Sequence, residues 1–401
     1  MHSKIRADFN LQFCFLVILS LIYLALFISL GGLQGDPWWD EEFFWKTSLT
    51  FSERLFPTFD QLRNYEELNT PLPFIIYGLL EYLFHGGIFV GRLLNFGLSF
   101  AIALWIGWPQ RQHRVRSLLS VVGLLLFPYY LWLSGLLYTD LIASFFGLLG
   151  IHFYRKQRHL ISGLAFILAI ASRQYMLAFP LGVVAFELVS AYRNKTRLQW
   201  QILAPVTAAA SILGWFILFQ GFAPAASYAS RLAPDVQRTL WAITPGGGLY
   251  FLSLVGLYFV IPEFVLFWRG FCLKSLLQHR ERYREYLAIA AGLLILFVVF
   301  PPSLEASGNL IKVAGLLPTY ALKIALFYSL ALLACLRFAR PGLVFWILGF
   351  HCLIMMKAYQ WDRYALPLLI VFWYLKSVNQ LGFPWTEKNV EDTAPDQGKI
   401  A

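Results

Sequence analysis

Long apolar runs separated by short polar breaks dominate the chain. A helix that crosses a membrane needs about 20 mainly apolar residues, and the first such run covers residues 11–33. Others fall near 87–108, 117–135, 138–154, 160–175, 176–192, 200–220, 248–268, 286–302, 318–336, 342–358 and 364–380. The pattern predicts an all-α integral membrane protein with about twelve transmembrane helices. The first run is too long for a signal-peptide core and lacks a small-residue cleavage pattern, so it reads as a retained anchor. One long polar stretch, 34–70, breaks the rhythm, and an apolar segment at 71–85, too short to span, follows it. That segment reads as a helix lying in the membrane interface. Residues 34–86 are then a first extracytoplasmic loop within a polytopic domain of residues 1–385, and 386–401 a polar, disordered cytoplasmic tail.

Composition agrees with the pattern. Hydrophobic residues make up 59% and charged residues 13%, against about 25% charged in soluble domains, so the chain cannot cover a water-facing surface with polar groups. The net charge of +10 is a topology signal. Its basic residues sit in short clusters between apolar runs: Arg111, Arg114 and Arg116; Arg155, Lys156 and Arg158; Arg193, Lys195 and Arg197; Arg269, Lys274, Arg280, Arg282 and Arg284; Arg337 and Arg340. With twelve spans and a cytoplasmic N-terminus, every cluster falls on the cytoplasmic side. No nucleic-acid partner is called for. The cysteines, Cys14, Cys272, Cys335 and Cys352, form no C-x-x-C pair and read as small apolar side chains.

Ionisable groups at membrane depth are costly and mark function by default. Here they collect at the opposite, extracytoplasmic ends of the runs. Asp36-Pro37-Trp38-Trp39-Asp40-Glu41-Glu42 follows the first run, and Asn69-Thr70-Pro71-Leu72-Pro73 leads into the interfacial segment. Arg92, Tyr138-Thr139-Asp140, Ser172-Arg173-Gln174 and Trp361-Asp362-Arg363-Tyr364 complete the set. Each alone fits a snorkelling interfacial charge. Together they place three arginines and several carboxylates on one face. The planar guanidinium fork suits a phosphate, and a carboxylate suits deprotonation of a hydroxyl. The run Gly246-Gly247-Gly248 lacks the context of a phosphate-binding loop and reads as a flexible loop before the next span. No H-E-x-x-H, Walker A, G-x-S-x-G or D-x-D motif is present.

The order of these motifs resembles the GT-C membrane glycosyltransferases, and within them is most similar to the dolichyl-phosphate-glucose-dependent α-1,2-glucosyltransferase family. The resemblance rests on Asp40-Glu41 after the first span, Thr70-Pro71-Leu72-Pro73, Arg92-Leu93, Tyr138-Thr139-Asp140, Ser172-Arg173-Gln174 and Asp362-Arg363-Tyr364. It implies an inverting transfer of a sugar from a polyprenyl-phosphate donor to a lipid-linked or glycan acceptor on the extracytoplasmic face. By the same resemblance Asp40 is the catalytic base, with Glu41 positioning the acceptor or acting as base itself. Arg173, Arg363 and Arg92 hold the donor phosphate, while Asp140, Gln174 and Asp362 orient substrate or arginine. Some members use a divalent metal ion near the acidic motif. The compartment expected is a bacterial plasma membrane, or the endoplasmic reticulum in a eukaryote.

Two other classes stay open on sequence alone. A transporter or lipid flippase would place its site near the midplane between repeats, and a non-catalytic membrane scaffold would tolerate loss of Asp40.

Overall fold

A computed structural model of the chain describes residues 2–109, 113–231, 235–239, 241–268 and 283–382. Arg111, Arg269, Cys272, Lys274, Arg280, Arg282 and the tail at 386–401 lie outside the described residues. Among the described residues the protein is all-helical, without a β-strand. Its helices are α1 (His2–Ser29), α2 (Asp40–Thr50), α3 (Phe59–Arg63), α4 (Leu72–Phe84), α5 (Ile88–Gly107), α6 (Arg114–Leu125), α7 (Pro128–Ser134), α8 (Asp140–Arg155), α9 (His159–Ser172), α10 (Ala178–Asn194) and α11 (Leu203–Phe219). They continue as α12 (Ala225–Ser230), α13 (Asp235–Arg238), α14 (Pro245–Val255), α15 (Ile261–Leu266), α16 (Tyr283–Val299), α17 (Asn309–Gly315), α18 (Tyr320–Arg337), α19 (Leu343–Met355) and α20 (Leu366–Ser377).

Each apolar run read from the sequence carries helix. Six segments among the described residues are long and apolar enough to cross a membrane: Asn10–Ser29, Ile88–Gly107, Gln174–Asn194, Trp200–Phe219, Pro245–Leu266 and Tyr320–Arg337. The surface of α1 shows what solvent they need. Phe15, Leu19 and Tyr23 are buried on one stripe, while Ile18, Leu21, Leu24 and Ile28 are exposed around the rest. An apolar helix with only one stripe covered by protein needs lipid around the remainder.

The run at 117–135 is broken. Pro128 has no N–H to donate and disfavours helical backbone at Phe127, which sits at φ −80°, ψ 110°. Helices α6 and α7 meet there at 75°. The segment expected at the interface is the apolar helix α4, with Pro71 at its N-cap and Pro73 in its first turn, where a missing N–H costs nothing.

The glycine run is a correction. Gly246, Gly247 and Gly248 form no loop; they are buried in the first turn of α14. A Cβ on them would lie 2.6 Å from the carbonyl oxygen of Pro301, 2.5 Å from that of Met355 and 2.7 Å from that of Cys352. The glycines let backbones approach, as small residues do between membrane helices. Gly256 makes the tightest such contact, its would-be Cβ only 2.0 Å from the carbonyl oxygen of Leu330 on α18. Gly256→Ala should therefore cost about 1–3 kcal/mol by overpacking. Gly292→Ala on α16, with nothing within 4 Å, should be neutral or stabilising. Thermal unfolding of both variants in the same detergent checks this.

α20 is the central pillar: every residue from Leu366 to Ser377 is buried, and it packs on α6 and α8. At its far end Lys376 Nζ lies 2.8 Å from Glu263, which also holds Arg337 in a two-pronged pair at 2.7 and 2.9 Å. At its near end lies Arg363. The hairpin of α8 and α9 runs the same way. Asp140 opens α8 and Arg173 follows α9, so both lie at one end, and the basic turn Arg155-Lys156-Arg158 lies at the other. The 16 residues of α8 set these ends about 24 Å apart.

Candidate functional site

Asp40 is the first residue of α2, where the helix N-terminus favours a carboxylate. The residue before it, Trp39, has φ 55° and ψ −122°, a conformation costly for a bulky side chain and typical of functional sites. The two carboxylate oxygens are held from different directions. Arg363 Nη2 donates to Oδ2 at 2.9 Å, and Arg231 Nη2 to Oδ1 at 2.8 Å. Burial pushes the Asp40 carboxyl up, but the two guanidinium groups outweigh it and hold it below the ordinary value of 3.8. Its side chain remains 23% exposed, so a substrate can reach it.

Arg363 is buried and fixed by aromatic faces, 3.7 Å from the Trp361 ring and 4.9 Å from that of Tyr138. Arg173 donates to Asp140 Oδ2 at 2.7 Å and to Asn69 Oδ1 at 3.2 Å, and Tyr175 caps the other Asp140 oxygen at 3.1 Å. Both guanidinium groups flank the Tyr364 ring, at 5.7 Å for Arg173 and 5.5 Å for Arg363. Several polar atoms here are buried without a hydrogen-bond partner among the described residues: Arg363 Nε and Nη1, Arg173 Nε, the Tyr138 hydroxyl and Glu67 Oε1. An unsatisfied buried donor costs about 1–3 kcal/mol. An oxyanion brought between the arginines would satisfy the guanidinium nitrogens.

The structure divides the residues picked out in the sequence. Asp40, Arg363, Arg173, Asp140 and Gln174 converge on one end of the bundle. Gln174 Nε2 donates to the carbonyl of Leu68 at 2.7 Å, tying the first loop to the site. Asp362 faces away from it. Its oxygens accept from Tyr250 at 2.5 Å, Tyr258 at 2.7 Å and the Leu310 amide at 2.9 Å, so it anchors the turn that presents Arg363. Glu41 and Arg92 form a closed, buried pair. Arg92 Nε and Nη2 each reach Glu41 at 2.7 Å, and the remaining N–H groups take the carbonyls of Leu33, Gly35 and Asp36. Glu41 also accepts from the amides of Trp38 and Leu137. Neither side chain has capacity left for a substrate.

The chain matches no family model, no curated protein and no solved structure. The chemistry of the site therefore rests on its geometry.

Two residues that sequence reasoning passed over belong here. Arg231 bridges Asp40 and Glu67, its Nε 3.4 Å from Glu67 Oε2, and stacks 4.3 Å over Phe43. Glu67 is buried, and burial pushes its carboxyl up to about 8, with Arg231 opposing and Asp40 reinforcing the rise. The signal for Arg231 was its place in the break after the run at 200–220, on the same predicted side as Asp40. A divalent cation, as some GT-C members use, does not fit the donor set. Both Asp40 oxygens are taken by guanidinium groups, and among the described residues no three His, Cys, Asp or Glu side chains come together.

Proposed function

We propose that the protein is an inverting glycosyltransferase that moves a sugar from a polyprenyl-phosphate carrier to a lipid-linked or glycan acceptor. The observation that carries this reading is the pairing of a partly exposed carboxylate with buried arginines whose spare N–H groups face no acceptor among the described residues. In the reaction, Arg363 and Arg173 bind the donor phosphate. The acceptor hydroxyl attacks the anomeric carbon in line, its proton passes to Asp40, and the bond from that carbon to the phosphate oxygen breaks. The departing polyprenyl phosphate gains a negative charge beside the two arginines, which favours the transition state more than the ground state. An acid for the leaving group is unnecessary, because phosphate leaves well as an anion. Phosphate binding also draws Arg363 away from Asp40, which makes the carboxylate more basic when it is needed.

Tyr250, Phe251, Leu254, Met355, Trp361 and Tyr364 line a small apolar cleft of about 10 Å³ beside Arg363, which an isoprenoid chain would have to widen in order to enter. The shorter helices α8, α9, α16, α19 and α20 and the bent pair α6–α7 would complete twelve crossings. The basic turns then lie in the cytoplasm and the site on the extracytoplasmic face. Its location at helix ends, not mid-span, favours an enzyme over a transporter or flippase.

The test is turnover. Purified protein is incubated with a panel of labelled polyprenyl-phosphate sugars and membrane lipid acceptors. Release of polyprenyl phosphate in step with labelled product is expected for one donor. Movement of intact donor across liposomes without release would replace the transferase with a flippase.

A further inference from the structure

Glu67 and Arg231 take no covalent part in the transfer, yet they sit inside the site. The loop that carries Glu67 is pinned on both sides. Ser230 Oγ donates to the Glu66 carbonyl at 2.9 Å, Gln174 to that of Leu68 at 2.7 Å, Tyr65 to that of Asn69 at 2.7 Å, and Thr70 Oγ1 to that of Ile170 at 2.7 Å. The Glu67 side chain is 2% exposed, and its Oε1 has no partner among the described residues. One guanidinium, Arg231, serves two carboxylates: it donates to Asp40 at 2.8 Å and faces Glu67 at 3.4 Å. The charged groups that act on Glu67 are Arg231, Asp40, Arg173 and Arg363. Asp140 neutralises Arg173, and Asp362 is turned onto Tyr250, Tyr258 and the Leu310 amide.

Three arginines, Arg173, Arg231 and Arg363, face two aspartates, Asp40 and Asp140. With a proton on Glu67 this constellation carries one net positive charge, which matches a phosphodiester of one negative charge. With Glu67 ionised the positive charge is gone, and a second carboxylate competes with the ligand for Arg231.

We propose that anion binding in this site is coupled to a proton on Glu67: the phosphodiester donor binds the form in which Glu67 is neutral, and Glu67 ionisation expels it. This deepens the donor reading above and rests on it. Glu67 is a positioning residue, acting through Arg231 and the net charge. Burial keeps its proton on up to about 8, so the binding form prevails at neutral pH. Linkage sets the sign: a ligand that prefers the protonated form raises the affinity of Glu67 for its proton and takes a proton up when it binds at alkaline pH.

The experiment uses the full chain in detergent and a short-chain prenyl methyl phosphodiester, which keeps one negative charge across the range studied. Titration calorimetry in buffers of different ionisation heat measures proton uptake. At about one unit above the Glu67 value the parent should take up nearly one proton per ligand, and affinity should fall about tenfold per pH unit. Glu67→Gln should take up none and hold its affinity flat. A pH-dependent infrared band of a protonated carboxyl, present in the ligand-free parent and missing from Glu67→Gln, identifies the group. Binding by the parent without proton uptake, or equal uptake in Glu67→Gln, overturns the coupling while leaving the donor reading intact. Failure of the probe to bind the parent at about pH 6.5, where Glu67 is protonated, overturns both.

Discussion

Asp40→Asn is expected to lower kcat for sugar transfer by about 10²–10⁴-fold, the usual worth of a positioned general base, without weakening donor binding. The second half of the expectation is the more diagnostic. Asp40 is tied to Arg363 and Arg231 at 2.9 and 2.8 Å, so in the proposed reaction its charge would compete with the donor phosphate for the same guanidinium groups. An amide of the same shape keeps the packing and removes that competition. The donor KM of the variant should stay level or fall. A residue that merely held the site together would raise KM as kcat dropped. The pH profile gives an independent reading. Asp40 ionises below its ordinary value of 3.8 in the free protein. As pH falls, kcat/KM for the parent should therefore hold until that region and then decline with one proton, and the limb should be absent from the residual activity of Asp40→Asn. Single-turnover release of polyprenyl phosphate, with equilibrium donor binding measured alongside, separates these quantities. Retention of more than about a tenth of the parent rate would assign proton abstraction elsewhere.

The sequence made the helices legible because apolar runs of span length have few alternatives in lipid. It carried less about how they are joined. Pro128 sits inside a run that is apolar throughout, and the 75° bend there comes from backbone chemistry that hydropathy does not register. Gly246 to Gly248 looked like loop residues because glycine weakens an isolated helix. In the protein their lack of a Cβ is what lets α14 lie against the carbonyls of Pro301 and of α19. For the site, one-sided clustering brought Asp40, Asp140, Arg173 and Arg363 into view. It left out which carboxylate is free. Asp40 and Glu41 are adjacent in sequence, yet one is 23% exposed and the other fully buried, since successive helix positions point about 100° apart. Arg231 was passed over for a different reason: its place in a polar break gave its side of the membrane, but its partner Asp40 is 191 positions away, and nothing in a local motif encodes a contact of that span.

The buried pair of Glu41 and Arg92 yields the largest expected loss of stability. Arg92→Met should destabilise the protein by about 3–5 kcal/mol, because it strands a carboxylate in the interior instead of removing an ion pair whole. Glu41 keeps two amide donors, Trp38 and Leu137, but loses both guanidinium contacts. The carbonyls of Leu33, Gly35 and Asp36 lose their donor at the same time. Those carbonyls belong to the chain leading from α1 to α2, so the loss reaches the backbone that holds Trp39 at positive φ and aims Asp40. The double variant Glu41→Leu with Arg92→Met should recover part of the stability, since it buries no unpaired charge, yet transfer should stay low because the loop is no longer fixed. Arg363→Gln provides the contrast. Among the described residues Arg363 has one acceptor, Asp40, and two unpaired nitrogens, so its removal should weaken donor binding far more than it lowers the melting temperature. Urea or thermal unfolding in one detergent, set beside donor titration, resolves the two patterns. A fully stable Arg92→Met protein with weakened donor binding would return Arg92 to the phosphate site.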